Sequence, residues 1–209
     1  MTQPLTMPRR AFVLGAPLAL AACAQSVWAP DDVVARAFYE EPGQKYLELF
    51  TMRNTKSGNG AHTSMVISAS QRVIWDPAGT FNYTGMAERN DVIFGVTPQI
   101  EKYYISYHSR ITYYTVAQRV NVTPEVAEMA LRAFMVAGPV AKANCARVTT
   151  TVLRTIPGFE STRVTFFPTN LMDQFAKLPG VITNEYREYD SDDKSIAAAQ
   201  IDAAIRAGQ

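Results

Sequence analysis

Cysteine is nearly absent: Cys23 and Cys145 are the only two in 209 residues. Cys23 sits at the end of an N-terminal targeting segment, so no disulfide within one chain occupies Cys145. No Cys-x-x-Cys pair supports redox chemistry either. Histidine is equally scarce, with His62 and His108 alone. No cysteine-histidine cluster has metal-site spacing, and neither a metal nor another cofactor is expected. Excess charge of one sign is missing as well. A net charge of +1 offers no field that would gather nucleic acid, which is not expected as a partner. Gly58-Asn59-Gly60 lacks a following helix and so makes no phosphate cradle. Repeats and low-complexity segments are absent. What is present, 47% hydrophobic residues with 11 Gly and 12 Pro, suits one globular domain with a sizeable core.

The N-terminus carries a paired-arginine segment, Arg9-Arg10, followed by an apolar run over 11–22. That run is too short to span a bilayer as a helix of about 20 residues. It ends in Leu20-Ala21-Ala22-Cys23, which resembles a bacterial lipobox, while the arginines resemble a twin-arginine export signal. The resemblance implies a signal peptide over 1–22 and lipid on Cys23, which anchors the protein to a membrane. Ala24 is not the aspartate that retains some lipoproteins in the inner membrane, so the periplasmic side of the outer membrane is the expected location. Loss of Arg9 and Arg10 leaves 18 basic against 19 acidic residues. Residues 23–43, with Pro30 and Pro42, read as a tether to a domain over 44–209.

Within that domain, 45–53 alternates Tyr46, Glu48, Phe50 and Met52 against Leu47 and Leu49, and predicts a strand. A polar loop follows over 54–61. Strands are then predicted over 62–68 and 72–75, joined by a hairpin at 69–71, which gives an antiparallel meander. An apolar run covers 91–96, Thr97-Pro98 opens a helix, and 110–122 reads as a strand. Thr123-Pro124-Glu125 starts another helix, with Val126, Met129, Ala130, Ala133 and Phe134 as its apolar face. Residues 168–178 predict a helix and 181–189 a strand. From Ser191 the chain reads as a surface helix whose charge run, 190–194, is solvated. The class is α+β.

The chain is organised around 143–156. Helical spacing aligns Val148, Val152 and Ile156 beside Cys145, Thr149 and Leu153, so a helix starting near Asn144 carries a thiol in its first turn. Unpaired N–H groups there favour thiolate, although a lone cysteine can equally serve as a small buried hydrophobe. A thiol nucleophile needs a base, and the base needs an orienting partner. His62, at the first residue of a predicted strand after a glycine loop, can face a cleft. Asp76 follows one hairpin later, where it can hold one imidazole nitrogen. His108, among Tyr103, Tyr104, Tyr107, Tyr113 and Tyr114, reads as a structural imidazole.

His62-Thr63-Ser64-Met65-Val66-Ile67, then Val73-Ile74-Trp75-Asp76, then Asn144-Cys145 opening a helix, resembles the circularly permuted NlpC-like branch of papain-fold proteins. In that branch the histidine precedes the cysteine. The resemblance covers roughly 45–180 and implies an antiparallel sheet packed against a cysteine-bearing helix. It also implies Cys145 as nucleophile, His62 as base and Asp76 as third member, a position where the family often has His or Glu. Asn144 would cap the helix or contact substrate, and backbone N–H groups at the helix start would stabilise an oxyanion. The function so implied is an envelope-anchored thiol hydrolase or acyltransferase acting on a peptidoglycan amide or a lipid ester. The alternative is a non-catalytic lipoprotein that uses the same fold for binding or envelope structure.

Overall fold

A computed structural model describes residues 26–81 and 85–206; the export segment and Cys23 lie outside the described residues. Helix α1 (Asp31–Arg36) precedes strands β1 (Tyr46–Asn54), β2 (Gly60–Ser68) and β3 (Arg72–Trp75). The two-residue β4 (Glu88–Arg89) and β5 (Val92–Phe94) lead to α2 (Pro98–His108) and β6 (Tyr113–Asn121). Then come α3 (Pro124–Met135), α4 (Cys145–Leu153), α5 (Pro168–Phe175), β7 (Ile182–Tyr186) and α6 (Lys194–Arg206). The strands form one antiparallel sheet in the order β4-β5-β3-β2-β1-β6-β7. The molecule is therefore α+β.

Alternation in β1 explains why helices cover both faces of the sheet. Leu47 and Leu49 join Met65, Ile67, Val73 and Trp75 under α3, α4 and α5. Tyr46, Phe50 and Met52 join Val66 and Ile74 under α2 and α6. Successive side chains point to opposite faces, so a central strand buried on both sides is apolar at nearly every position. Thr97 and Thr123 cap α2 and α3 by accepting from the N–H of Ile100 and Val126, each with proline next in sequence.

Several boundaries differ from the sequence reading. Strand β2 starts at Gly60, which makes His62 its third residue. Gly60 donates its N–H to Thr169 Oγ1 at 2.8 Å, and a Cβ there would lie 2.7 Å from the Thr169 nitrogen, so the strand begins where it meets α5. In α3 the buried stripe is Ala127, Ala130, Leu131 and Phe134, while Met129 is 41% exposed. Two apolar stripes overlap in that helix. The stripe carrying the small Ala127 faces the core, where Phe134, common to both, lies 5.5 Å from the Trp75 ring between centroids. The supposed tether is packed onto the domain from Trp28 onward. Trp28 bridges Arg89 with the guanidinium 4.7 Å above its ring, Val33 and Val34 rest on the core, and the Tyr39 carbonyl accepts from the Arg72 N–H at 2.7 Å. Helix α6 is likewise not confined to the surface, since Ala197 and Ile201 are buried in the cluster shared with α2. No helix among the described residues is long and apolar enough to cross a membrane.

Trp75 joins the sheet to the cysteine helix. Its indole N–H donates to Thr149 Oγ1 at 3.1 Å, both groups being fully buried. Trp75→Phe leaves that hydroxyl without its donor and is expected to cost about 1–3 kcal/mol, read as a lower urea midpoint at unchanged slope. Adding Thr149→Val removes the stranded hydroxyl and restores part of the loss.

Candidate active site

The β2–β3 hairpin places the first two side chains. Its register pairs Met65 with Trp75, and one step further along β3 sets Asp76 level with Ser64. His62 is the next residue on that face, a diagonal neighbour within reach of a long side chain. The imidazole spans the gap: His62 Nε2 donates to Asp76 Oδ1 at 2.7 Å. The same oxygen accepts from the Tyr104 hydroxyl, also at 2.7 Å. With Nε2 committed to the carboxylate, Nδ1 is the nitrogen left for the sulfur.

Cys145 arrives from the opposite side on the first residue of α4, with Ala143 before it at φ +63°. The hydrogen bond and charge of His62 and the backbone N–H groups of Thr63 and Ala146 all favour the thiolate. The N–H of Cys145 itself has no partner among the described residues, which leaves one donor free to meet an oxyanion.

The electrostatics follow from these contacts. Burial opposes charge on His62, but the hydrogen bonds to Asp76 and Cys145 and the charges behind them win, and its pKa is raised to about 10. Burial pushes the Cys145 thiol up, yet the bond and charge of His62 with the two backbone donors bring it below the ordinary thiol value. Asp76 is fully enclosed, which would raise its carboxyl, but His62 and Tyr104 hold it below the usual range. These shifts favour an imidazolium-thiolate pair backed by a carboxylate.

His108 keeps the hydrogen-bonded place among tyrosines expected of a structural imidazole, and it also lines this cleft. It lies one helical turn past Tyr104 with its ring 6.2 Å from that of His62. Its Nδ1 faces the Tyr104 carbonyl at 2.8 Å, and since a carbonyl only accepts, Nδ1 carries the proton. Burial, the leading cause, lowers its pKa to about 4, so it is neutral at pH 7.

Three further residues position the site, and two of them, Gly79 and Asp91, carry no local signal in the sequence. Gly79 lies against the Asp76 carboxylate, where a Cβ would fall 1.9 Å from Oδ2. Asp91 accepts at Oδ2 from the N–H groups of Val140 (2.8 Å) and Ala78 (3.3 Å), and its carbonyl accepts from the Asp76 N–H at 2.8 Å. It thereby ties the loop after Asp76 to the segment leading into α4. Tyr104 and His108 stand four apart on one helix face, a spacing visible in the sequence but not tied there to Asp76. Asn144 caps nothing through its side chain: its Oδ1 accepts from Arg147 Nε at 2.7 Å and its Nδ2 donates to the Lys142 carbonyl. It is also not among the residues that line the cleft.

The cleft holds about 410 Å³ and is lined by Cys145, His62, His108, Gly79 and Tyr107, with Arg110, Asp192 and Lys194 among its polar walls. The run 190–194, read as solvated, therefore forms part of its rim. No group of His, Cys, Asp and Glu among the described residues is arranged to hold a metal ion. Comparison with protein-family models, with curated proteins and with solved structures returns no match to this chain.

Proposed function

We propose that the protein is an envelope-anchored cysteine hydrolase or acyltransferase of the circularly permuted NlpC-like, papain-fold type, acting on amides or esters of the cell envelope. One observation carries the reading: Asp76 fixes His62 through Nε2, and His62 and Cys145, the latter at a helix start, line one cleft. This supports the enzymatic alternative over a binding-only lipoprotein, which has no use for a charged pair in that position.

The chemistry is acyl transfer. The Cys145 thiolate attacks the substrate carbonyl carbon, and the oxygen takes up the electron pair facing the Cys145 N–H and the start of α4. As the tetrahedral species collapses, the His62 imidazolium gives its proton to the departing amine or alcohol. A thioester on Cys145 remains. His62, now neutral, takes a proton from water or from an acceptor hydroxyl or amine, which attacks the thioester and releases the acyl product. The thiolate-imidazolium pair is then restored. Asp76 keeps the ring oriented and stabilises its charge throughout. Neither metal nor cofactor enters these steps. Lipid on Cys23 holds the domain at the periplasmic side of the outer membrane, beside peptidoglycan and lipid substrates.

Digestion of purified peptidoglycan and of a set of acyl-lipid esters, with mass analysis of the products, tests the reading. Wild type is expected to release new peptide ends or free acyl chains that Cys145→Ala does not. Identical products from both proteins would count against it.

A further inference from the structure

Arg110 poses a problem that the acyl-transfer chemistry leaves unsolved. It follows α2 at the turn into β6, is only 2% exposed, and lines the cleft with Cys145. Its single carboxylate contact is Nη1 to Asp190 Oδ2, at 3.4 Å, and that aspartate is 69% exposed. An exposed partner at this distance compensates little. Nε and Nη2 are buried with no hydrogen-bond partner among the described residues. These two atoms form one edge of the guanidinium, with parallel N–H bonds spaced to meet both oxygens of a carboxylate. A buried cation with two unmet donors is costly unless something else completes it.

Lys194 supplies a second, separate observation on the same wall. Its ammonium donates to Thr80 Oγ1 at 3.1 Å and lies 4.3 Å from the centre of the Tyr107 ring, with no carboxylate among the described residues within ion-pair distance. The acids nearby hold other partners, and Asp192 keeps its negative charge, which acts on Lys194. Asp192 accepts from the N–H and hydroxyl of Thr112. Asp76 is committed to His62 and Tyr104. Asp190 is the rim contact already described.

We propose that Arg110 and Lys194 form a carboxylate-binding subsite in the Cys145 cleft, and that the substrate is an amide or ester bearing a free carboxylate. This rests on the reading of Cys145 as nucleophile and narrows it. The carboxylate pairs with the Arg110 guanidinium, which has donors to spare, with the Lys194 ammonium adding charge from beside it. An acyl donor such as a peptide with a free terminal or side-chain carboxyl fits this chemistry, whereas a neutral lipid ester leaves Arg110 uncompensated.

The test uses paired alkylating probes of equal length, N-chloroacetyl-glycine and N-chloroacetyl-β-alanine, each against its primary amide. Every probe transfers its acetyl carbon to the sulfur and expels chloride. For at least one pair the carboxylate member is expected to alkylate wild-type Cys145 about tenfold faster, relative to its amide, than it alkylates free N-acetylcysteine. Arg110→Gln should remove most of that preference. Lys194→Gln, at a less buried position, should reduce it severalfold and provides the test if Arg110→Gln does not fold. Normal reaction of the amides with no carboxylate preference in wild type overturns the subsite alone. If neither member reacts with folded wild type at pH 6, the nucleophile reading fails and the subsite falls with it.

Discussion

Iodoacetamide alkylates folded wild-type Cys145 at pH 5, and His62→Ala slows that reaction by about 30- to 100-fold. The magnitude follows from ionisation. A thiol with an ordinary pKa of about 8.5 is only ~0.03% thiolate at pH 5. Burial without the imidazolium lowers that fraction further in the variant. In wild type the pairing with His62 lowers the thiol pKa and raises the thiolate fraction. The gain is less than the ratio of thiolate fractions because a more acidic thiolate is intrinsically less nucleophilic. The sign of the pH dependence is fixed by the two shifts. The His62 pKa is raised to about 10, so the charge on the ring is lost as pH rises through that value. The Cys145 pKa is lowered, so its thiolate is lost as pH falls through the lowered value. Hydrolysis should therefore follow a bell with its alkaline limb near pH 10. In His62→Ala the alkylation profile should collapse to a single rise on the alkaline side. A variant that kept the wild-type rate at pH 5 would show that the imidazole does not ionise the sulfur.

The second large effect is expected at Gly79, a residue that makes no polar side-chain contact. Its backbone φ is not in the left-handed region, so alanine is conformationally acceptable there, and the difficulty is purely one of space. The added carbon would fall 1.9 Å from Asp76 Oδ2 and 2.1 Å from Cγ. The carboxylate has to move, and with it the group that holds His62 Nε2. A displacement on the order of 1 Å at a reacting group costs about 10²-fold in rate, and overpacking costs roughly 1–3 kcal/mol of stability. Gly79→Ala should therefore lose hydrolysis far beyond its change in melting temperature, with Cys145 alkylation at pH 5 falling in parallel. A folded variant with wild-type rates would mean that the carboxylate is not held where Gly79 makes room for it.

Strand and helix patterning was largely legible in the sequence, because it rests on local periodicity. The alternation through Tyr46–Met52, the proline-capped starts at Thr97 and Thr123, and the Arg72–Trp75 strand all reflect which side chains a pleated or helical surface can bury. The meeting of His62, Asp76 and Cys145 was legible only as a wager on one hairpin and one helix start. What escaped was set by contacts between distant segments. Asp91 matters through three backbone N–H groups on two other segments, and Gly79 through the atoms it does not have. Arg110 looked like the beginning of a strand, and its unmet donors appear only once β6 and α2 enclose them. The phase of α3 was misjudged for the same reason: the sequence holds two apolar stripes, and the sheet chooses between them.

The docking of Trp28 on Arg89 would also govern how far a lipid-anchored domain can stand from a bilayer. With lipid on Cys23, as proposed, only five peptide units separate the acylated sulfur-bearing residue from a fixed point on the sheet edge. An extended backbone covers at most about 3.6 Å per residue, so the leash reaches no more than ~18 Å. An enzyme so anchored would work as a crawler on the membrane surface and not as a long-armed searcher, its range set by lateral diffusion of the lipid.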